Sequence, residues 1–348
     1  MSEKHKAIGL LSGGLDSSLA LRIIYDLGID VLAVHFHTGF CFADTRRAKR
    51  GDDKPVQGGP SDAFTAAERL GVPIEVVDVS DGYLQILHHP KYGYGRNVNP
   101  CIDCRIYLLD IARWMMEDRG ADFVFSGEVL GQRPKSQQMM QLKLIARRSG
   151  LEDRLLRPLS ARCLPPTLPE REGWVDRSRL FGFQGRTRKP QMALAAELGI
   201  EDYPQPAGGC CFLTDPAYGR KVKDLWGHRD KDLLGWDDYL LLKTGRHLRV
   251  SPELKVIVGR NEADNMFLAQ YCRNKTRLEV EDFPGPLVIL DAAPTDEHAR
   301  IAAGIAGRYS DARDLDRELT VRVENGEEVR RIQAKPYKPE EVQKWVIS

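Results

Sequence analysis

The stretch AIGLLSGGLDSSLALRIIYDLGI, residues 7–29, decides the fold. Its apolar start, Ala7 to Leu11, reads as a buried strand. The chain then meets Gly13 and Gly14 and passes through Asp16, Ser17 and Ser18 into an apolar helical spacing, predicted over Ser17–Leu27. A strand that ends in glycines and opens a helix makes an anion site. Successive backbone N–H groups turn inward, and the helix N-terminus adds partial positive charge. Gly13 and Gly14 let a phosphate approach with no Cβ in the way, and Ser12, Ser17 and Ser18 add hydroxyls. Asp16 alone would repel phosphate, so its presence implies Mg²⁺ between the two. The lysine of the G-x-x-x-x-G-K-[ST] loop is absent, which excludes that type of NTPase. An ordinary glycine turn capped by Ser12 or Asp16 accounts for the glycines but not for the whole Ser12–Ser17 string.

Outward from this loop, the first half of the 348 residues alternates. Val31–Phe36, Ile74–Val79 and Phe123–Phe125 repeat the strand pattern. Ser61–Leu70, Arg105–Arg119, Lys135–Arg148 and Pro190–Leu198 are predicted helices. Strand–helix alternation predicts an α/β fold, a doubly wound parallel sheet with helices on both faces. Residues 38–60 are glycine-rich and charged, a predicted mobile loop, and 157–190 read as irregular. After Phe212 the texture changes: YLLLKTGRHLRV, KVIVGR, PLVILDA and LTVRVENGEEVRRI are strand-like, the last with an Asn325-Gly326 hairpin signal. Asn261–Tyr271 and Asp296–Ile305 are predicted helices. A first domain over 1–215 and a smaller α+β domain over 220–348 are expected. The start is polar and no 18-residue apolar run occurs, so a soluble, cytoplasmic protein away from membranes is expected.

Seven cysteines, in a cytosolic chain of this size, suggest metal binding or catalysis before disulfides. Cys101 and Cys104, in NPCIDC, stand just before a predicted helix, where the helix dipole favours the thiolate. Over 100 residues later comes QPAGGCCFLTD, in which Gly208-Gly209 imply a tight backbone approach beside Cys210 and Cys211. Three chemistries fit the first pair: a redox couple, half of a structural zinc site, or, with a third thiolate, a [4Fe–4S] cluster with one open iron. Cys41, Cys163 and Cys272 read as incidental.

The string SGGLDSS resembles the SGGxDS signature of the PP-loop ATP pyrophosphatases, adenine nucleotide hydrolase-like proteins that split ATP and adenylate a carbonyl oxygen. With NPCIDC, GADFVFSGE and GGCCF, the likeness narrows to their tRNA thiouridylase branch. SGEVLGQRPKSQ, residues 126–137, is similar to the segment of 4-thiouridine synthetases after strand four. GRTRKPQMALAAELGI, residues 185–200, is similar to a helix of 2-thiouridylases. The resemblance covers about residues 5–215. It implies ATP and Mg²⁺ at Ser12, Gly13, Gly14, Asp16, Ser17, Ser18, His35 and Gly127. It also implies Cys211 rather than Cys210 as the third cysteine, with Cys101, Cys104 and Cys211 holding a [4Fe–4S] cluster. Catalysis would fall to Asp16, Cys104 and Cys211. LKVIVGRNEADNMFLAQY, residues 254–271, resembles the small RNA-associated domain of ribosome quality-control proteins.

Arg133 to Lys189 holds 14 Lys and Arg against five Asp and Glu, a net of +9 in a chain of total +1. Such a segment suits phosphate neutralisation, and Arg133, Lys135, Arg186, Arg188 and Lys189 are the expected RNA contacts. Trp174, Phe181 and Phe183 are interleaved as candidate base-stacking rings. Glu128, at the end of strand four, stands at the edge where open sheets bind ligands. The expected function is an ATP-dependent tRNA sulfurtransferase that adenylates a uracil carbonyl. Sulfur would come from a cysteine desulfurase, a sulfur carrier or free sulfide, and the oligomeric state is left open. The alternatives are an adenylating synthetase using ammonia or a small molecule, and a nucleotide- or RNA-binding protein without turnover.

Overall fold

The computed structural model describes residues 4–41, 62–200, 203, 211–272, 275–292 and 295–347. Most of the predicted loop 38–60, and Gly208, Gly209 and Cys210, lie outside the described residues. The described residues fall into two units, one ending before Cys211 and one starting there.

The first unit is a five-stranded parallel sheet of order β3-β2-β1-β4-β5. Its strands are β1 (Lys6–Leu10), β2 (Asp30–His37), β3 (Ile74–Asp78), β4 (Phe123–Ser126) and β5 (Leu155–Leu156). Its helices are α1 (Leu15–Asp26), α2 (Asp62–Glu68), α3 (Ser80–His88), α4 (Cys101–Asp118), α5 (Met139–Arg148) and α6 (Lys189–Glu197). Period-2 alternation divides the strand residues between two cores. Ala7, Val31, Ala33, Phe123 and Phe125 pack with α1, α2 and α6. Ile8, Leu10, Val34, Phe36 and Val124 pack with α4 and α5. Gly9 makes room for its neighbour: a Cβ there would run into the Phe125 ring. Strand order reverses between β1 and β4, so the crevice of this sheet opens beyond their C-terminal ends.

The second unit is a six-stranded antiparallel sheet of order β11-β10-β8-β9-β7-β6. In chain order it contains α7 (Pro216–His228), α8 (Trp236–Leu241), β6 (Arg246–Arg249), β7 (Lys255–Val258) and α9 (Glu262–Tyr271). Then follow β8 (Thr276–Val280), β9 (Val288–Asp291), α10 (Asp296–Tyr309), β10 (Leu319–Asn325) and β11 (Glu328–Ala334). Helix α10 packs its small face, Ala302, Ala303 and Ala306, on Val256, Leu278, Leu290 and Val321. Asn325 pairs with Glu328, and Gly326 has φ +62°, so the hairpin turns on Gly326-Glu327. At the β6 edge, Leu248 bridges Val346, Arg249 N–H donates to the Trp345 carbonyl and Ile347 N–H to that of His247.

Three expectations are corrected. Tyr239–Leu242, read as strand, starts inside α8. Gly235 N–H bonds the Asp238 carboxylate, and the fully buried Tyr239 accepts at its hydroxyl from Trp226 Nε1; a four-residue apolar run does not itself separate helix from strand. Helix α4 starts at Cys101 rather than Arg105, so both cysteines are in its first turn. Helix α5 starts at Met139 rather than Lys135, because Gln137 N–H bonds the Arg133 carbonyl in a turn of its own. Helices α3 and α7 and strands β5 and β8 were not anticipated by periodicity.

His247 is fully buried, with Nε2 2.8 Å from the Thr244 carbonyl and no partner for Nδ1 among the described residues. Burial, and then the charges of Lys221 and Lys255, push its pKa well below the usual histidine value. The unfolded chain therefore takes up a proton that the fold refuses, and stability is lost as pH falls below about 6.5. Thermal melting of the second unit is expected at lower temperature at pH 5.5 than at 7.5, and His247→Gln should flatten that difference.

Candidate active site

Gly14 caps α1 with extended geometry and no side-chain hydrogen bond to the helix. The first-turn N–H groups of a helix have no intrahelical partner, so this uncapped end can receive an anion. Gly13 has φ +77°, and a Cβ there would sit 2.6 Å from Ala63 N, so only glycine lets α2 close on the loop. The hydroxyls are partly committed. Ser17 Oγ donates to the Gly14 carbonyl at 2.9 Å, Ser18 Oγ does so at 3.2 Å, and Ser12 N–H reaches Ser17 Oγ at 3.3 Å. Ser12 remains exposed. His35 is fixed on β2 by Nδ1, 2.9 Å from the Leu11 carbonyl. That carbonyl partner assigns the proton to Nδ1 and leaves Nε2 as an acceptor.

Asp16 gathers segments from across the chain. Gln132 Nε2 donates to its Oδ2 at 2.8 Å, and Arg188 Nη2 stands 3.4 Å from the same oxygen. Its Oδ1 is buried without a partner among the described residues, as is Gln132 Oε1. The segment carrying Gln132 is tied to the one carrying Arg188: Gly185 N–H donates to the Leu130 carbonyl at 2.7 Å, and Leu130 bridges Gln184. Gln132 and Arg188 were not read from the sequence as Asp16 partners. Both lie in the quoted segments 126–137 and 185–200, which was the available signal.

Gly127 follows β4 and lies against α1 itself; a Cβ there would stand 2.5 Å from the Asp16 carbonyl and 2.6 Å from Ser17 N. The next residue, Glu128, does not face an open cleft. It is 3% exposed and accepts from Arg157 Nε at 3.0 Å, with Arg105 Nε at 3.5 Å from its other oxygen. Burial alone would raise its carboxyl pKa, but the charges of Arg157 and Arg105 outweigh that and hold it below the usual carboxylate value.

Arg105 immediately follows Cys104. The Glu128 ion pair therefore anchors the first turn of α4, and the Cys101–Cys104 pair with it, to the end of β4. Asp103 between the cysteines accepts from Lys91 and Tyr92 N–H at 2.9 and 3.1 Å. Cys101 Sγ and Lys135 Cγ each lie 3.1 Å from where a Cβ on Gly95 would be, so Lys135 belongs to the surroundings of Cys101. Arg133 is half-buried, while Arg186 and Lys189 are exposed. Trp174, Phe181 and Phe183 are partly buried and pack against the α1-side core, with Trp174 stacked 4.7 Å from the His5 ring. Cys211 is buried in the second unit, its carbonyl accepting from Thr214. Among the described residues, no group of three or more His, Cys, Asp or Glu is placed to hold a metal ion.

Residues 5–149 match the family model described as the tRNA methyl transferase HUP domain, and residues 245–346 that described as the NFACT protein RNA binding domain. The first unit is therefore similar to a HUP domain over residues 5–149, and the second to an NFACT-type domain over residues 245–346. The HUP domain is similar to tRNA-specific 2-thiouridylases MnmA. It is 32% identical to that of Beutenbergia cavernae over 36% of this chain and 33% of that protein. It is 33% identical to that of Pseudothermotoga lettingae over 34% of this chain and 35% of that one. The chain thus spans about a third of the length of these curated relatives. A crystal structure of a 4-thiouridine synthetase–RNA complex with bound ATP is similar at 22% identity and TM-score 0.35, over 56% of this chain and 41% of that one. The doubly wound parallel sheet of the HUP domain and the separate antiparallel sheet of the NFACT-type domain agree with the fold class expected from the motifs.

Two substitutions test the site of the HUP domain. Gly127→Ala is expected to push β4 off α1 and to cost about 1–3 kcal/mol in urea unfolding, the scale of an overpacking strain. Glu128→Gln leaves buried Arg157 without its carboxylate, a loss of about 3–5 kcal/mol in urea unfolding, partly restored by Arg157→Met in addition.

Proposed function

We propose that the protein is an ATP-dependent tRNA uridine sulfurtransferase. One observation carries the reading: Gly127 packs on Asp16 while Glu128 beside it fixes Arg105, so the uncapped phosphate loop and the Cys101–Cys104 pair are held by one dipeptide. The match of residues 5–149 and the likeness to 2-thiouridylases support it.

In this mechanism the triphosphate lies on the Ser12–Ser18 loop at the N-terminus of α1. Mg²⁺ fits the unpartnered Oδ1 of Asp16, where it would neutralise the phosphates that Asp16 would otherwise repel. Gln132 and Arg188 hold the other oxygen, and Arg188 adds a positive charge near the phosphates. The uracil oxygen attacks the α-phosphorus and pyrophosphate leaves. Adenylation turns a poor leaving oxygen into AMP. The terminal sulfur of a persulfide on one cysteine of the Cys101–Cys104 turn, supplied by a sulfane-sulfur donor, then attacks the ring carbon and AMP departs. The other cysteine's thiolate breaks the S–S bond, releasing the thiouridine and leaving a disulfide that an external dithiol reduces. A helix N-terminus favours the thiolate form such a turn needs. The [4Fe–4S] cluster expected from three cysteines receives no step here. Cys101, Cys104 and Cys211 would be the residues to hold it, and its open iron would offer a site for sulfide. The basic segment around Arg133, Lys135, Arg186 and Lys189 would take the tRNA backbone, together with the NFACT-type domain.

Pyrophosphate release that depends on added tRNA is the test. Asp16→Asn should reduce it at least a hundredfold. Cys101→Ser and Cys104→Ser should leave it within a few-fold of wild type while nucleoside mass spectrometry finds no thiolated uridine. Equal release without tRNA would point to a small-molecule acceptor instead, and thiolation surviving in both cysteine variants would remove their role.

A further inference from the structure

The NFACT-type domain has a hollow of about 610 Å³, separate from the HUP-domain residues described above. Arg246, Arg260, Arg308 and Arg313 line it, with Glu262 and Asp311 as the only carboxylates among the lining residues. The four guanidiniums are held differently. Arg260 is fixed: its Nε is 2.6 Å from Asp264, a carboxylate 1% exposed that also accepts from Thr244 Oγ1. Arg308 and Arg313 share Asp314 at 3.9 and 3.8 Å, and that carboxylate is 84% exposed, so the pairing is weak. Arg246 has no ion-pair partner among the described residues. It is exposed and lies over the Tyr309 ring, 5.0 Å from the centroid.

A guanidinium seated on an aromatic ring is a flat, positive platform with its outer face open, and unpaired bases stack on such planes. Beside it, two weakly paired arginines present forks that suit a phosphate. The walls also carry two carboxylates, which disfavour bare inorganic phosphate but can accept from ribose hydroxyls. We infer that this hollow binds a nucleotide of single-stranded RNA, its base on Arg246 and its phosphate between Arg308 and Arg313. The inference deepens the RNA part of the proposed function and rests on it only for the identity of the RNA, not for binding itself.

The test uses the full chain without ATP and a labelled single-stranded octauridylate, read by fluorescence anisotropy. Arg246→Lys keeps the charge and loses the plane; it should weaken binding about tenfold, the scale of one lost stack. Arg308→Gln with Arg313→Gln should also weaken binding, and should lower the slope of log affinity against log salt by about 0.7 per lost contact. The DNA octamer of the same base should bind more weakly than the RNA, and millimolar inorganic phosphate should not displace it. Wild-type affinity in both variants, or equal binding of DNA, overturns the assignment. Arg246→Lys is a surface change, so it still reads the platform if the double variant melts early. Because no ATP is present, the outcome stands apart from tRNA-dependent pyrophosphate release, which can fail while this binding persists.

Discussion

The peptide at Gly127 lies against the carbonyl of Asp16 with no room for a methyl group. That approach lets β4 end directly over the first turn of α1, and the remaining contacts of the HUP-domain site build on it. Asp16 is then presented to Gln132 from one side and Arg188 from another. Glu128, one residue on, turns into the protein rather than outward. There it joins Arg105 of α4 and Arg157, whose Nη2 also donates to the Leu142 carbonyl of α5. A buried carboxylate between two guanidiniums adds little net stability, since desolvation cancels much of the attraction. Its use here is geometric: it fixes which residue of α4 meets the end of β4.

The NFACT-type domain also keeps charge inside. Asp224 of α7 meets Arg249 at 2.8 Å and the fully buried Lys255 at 3.3 Å, so α7 is tied to β6 and β7 by ion pairs as well as apolar contact. Burial lowers the Lys255 pKa, while the Asp224 and Asp291 carboxylates oppose that shift. On the opposite side of the balance, burial would raise Asp224, but its hydrogen bond to Arg249 and the charge of Lys255 keep it low. Removing any one member would leave the others uncompensated, which is why such a group holds a helix in one register.

Much of the HUP domain was legible because its signals are local. Strand periodicity, a glycine turn and a helix start follow one another within residues 7–29, and the SGGLDSS string needs no distant partner to be recognised. Where reading failed, the deciding contact was long-range. Glu128 at a sheet edge reads as a site residue until Arg105 and Arg157 are seen to surround it. Trp174 reads as a free ring, while His5, from the other end of the unit, stacks on it. Arg188 looked like one cation among many in a basic segment, yet it alone of those expected RNA contacts reaches Asp16. In the tail, Tyr239–Leu242 carried no period that tells four strand residues from one helical turn, and packing on Trp226 decided it.

The antiparallel sheet has two outer strands, and they are shielded by different means. Strand β11 carries Glu328, Arg330 and Arg331, charges that discourage a foreign strand from pairing. Strand β6 is shorter and relies on Trp345–Ile347 lying along it. Loss of those three residues would bare the unpaired backbone groups of Arg246–Arg249 to other molecules. Self-association in concentrated solution, rather than unfolding, is then the characteristic failure of such a truncated chain.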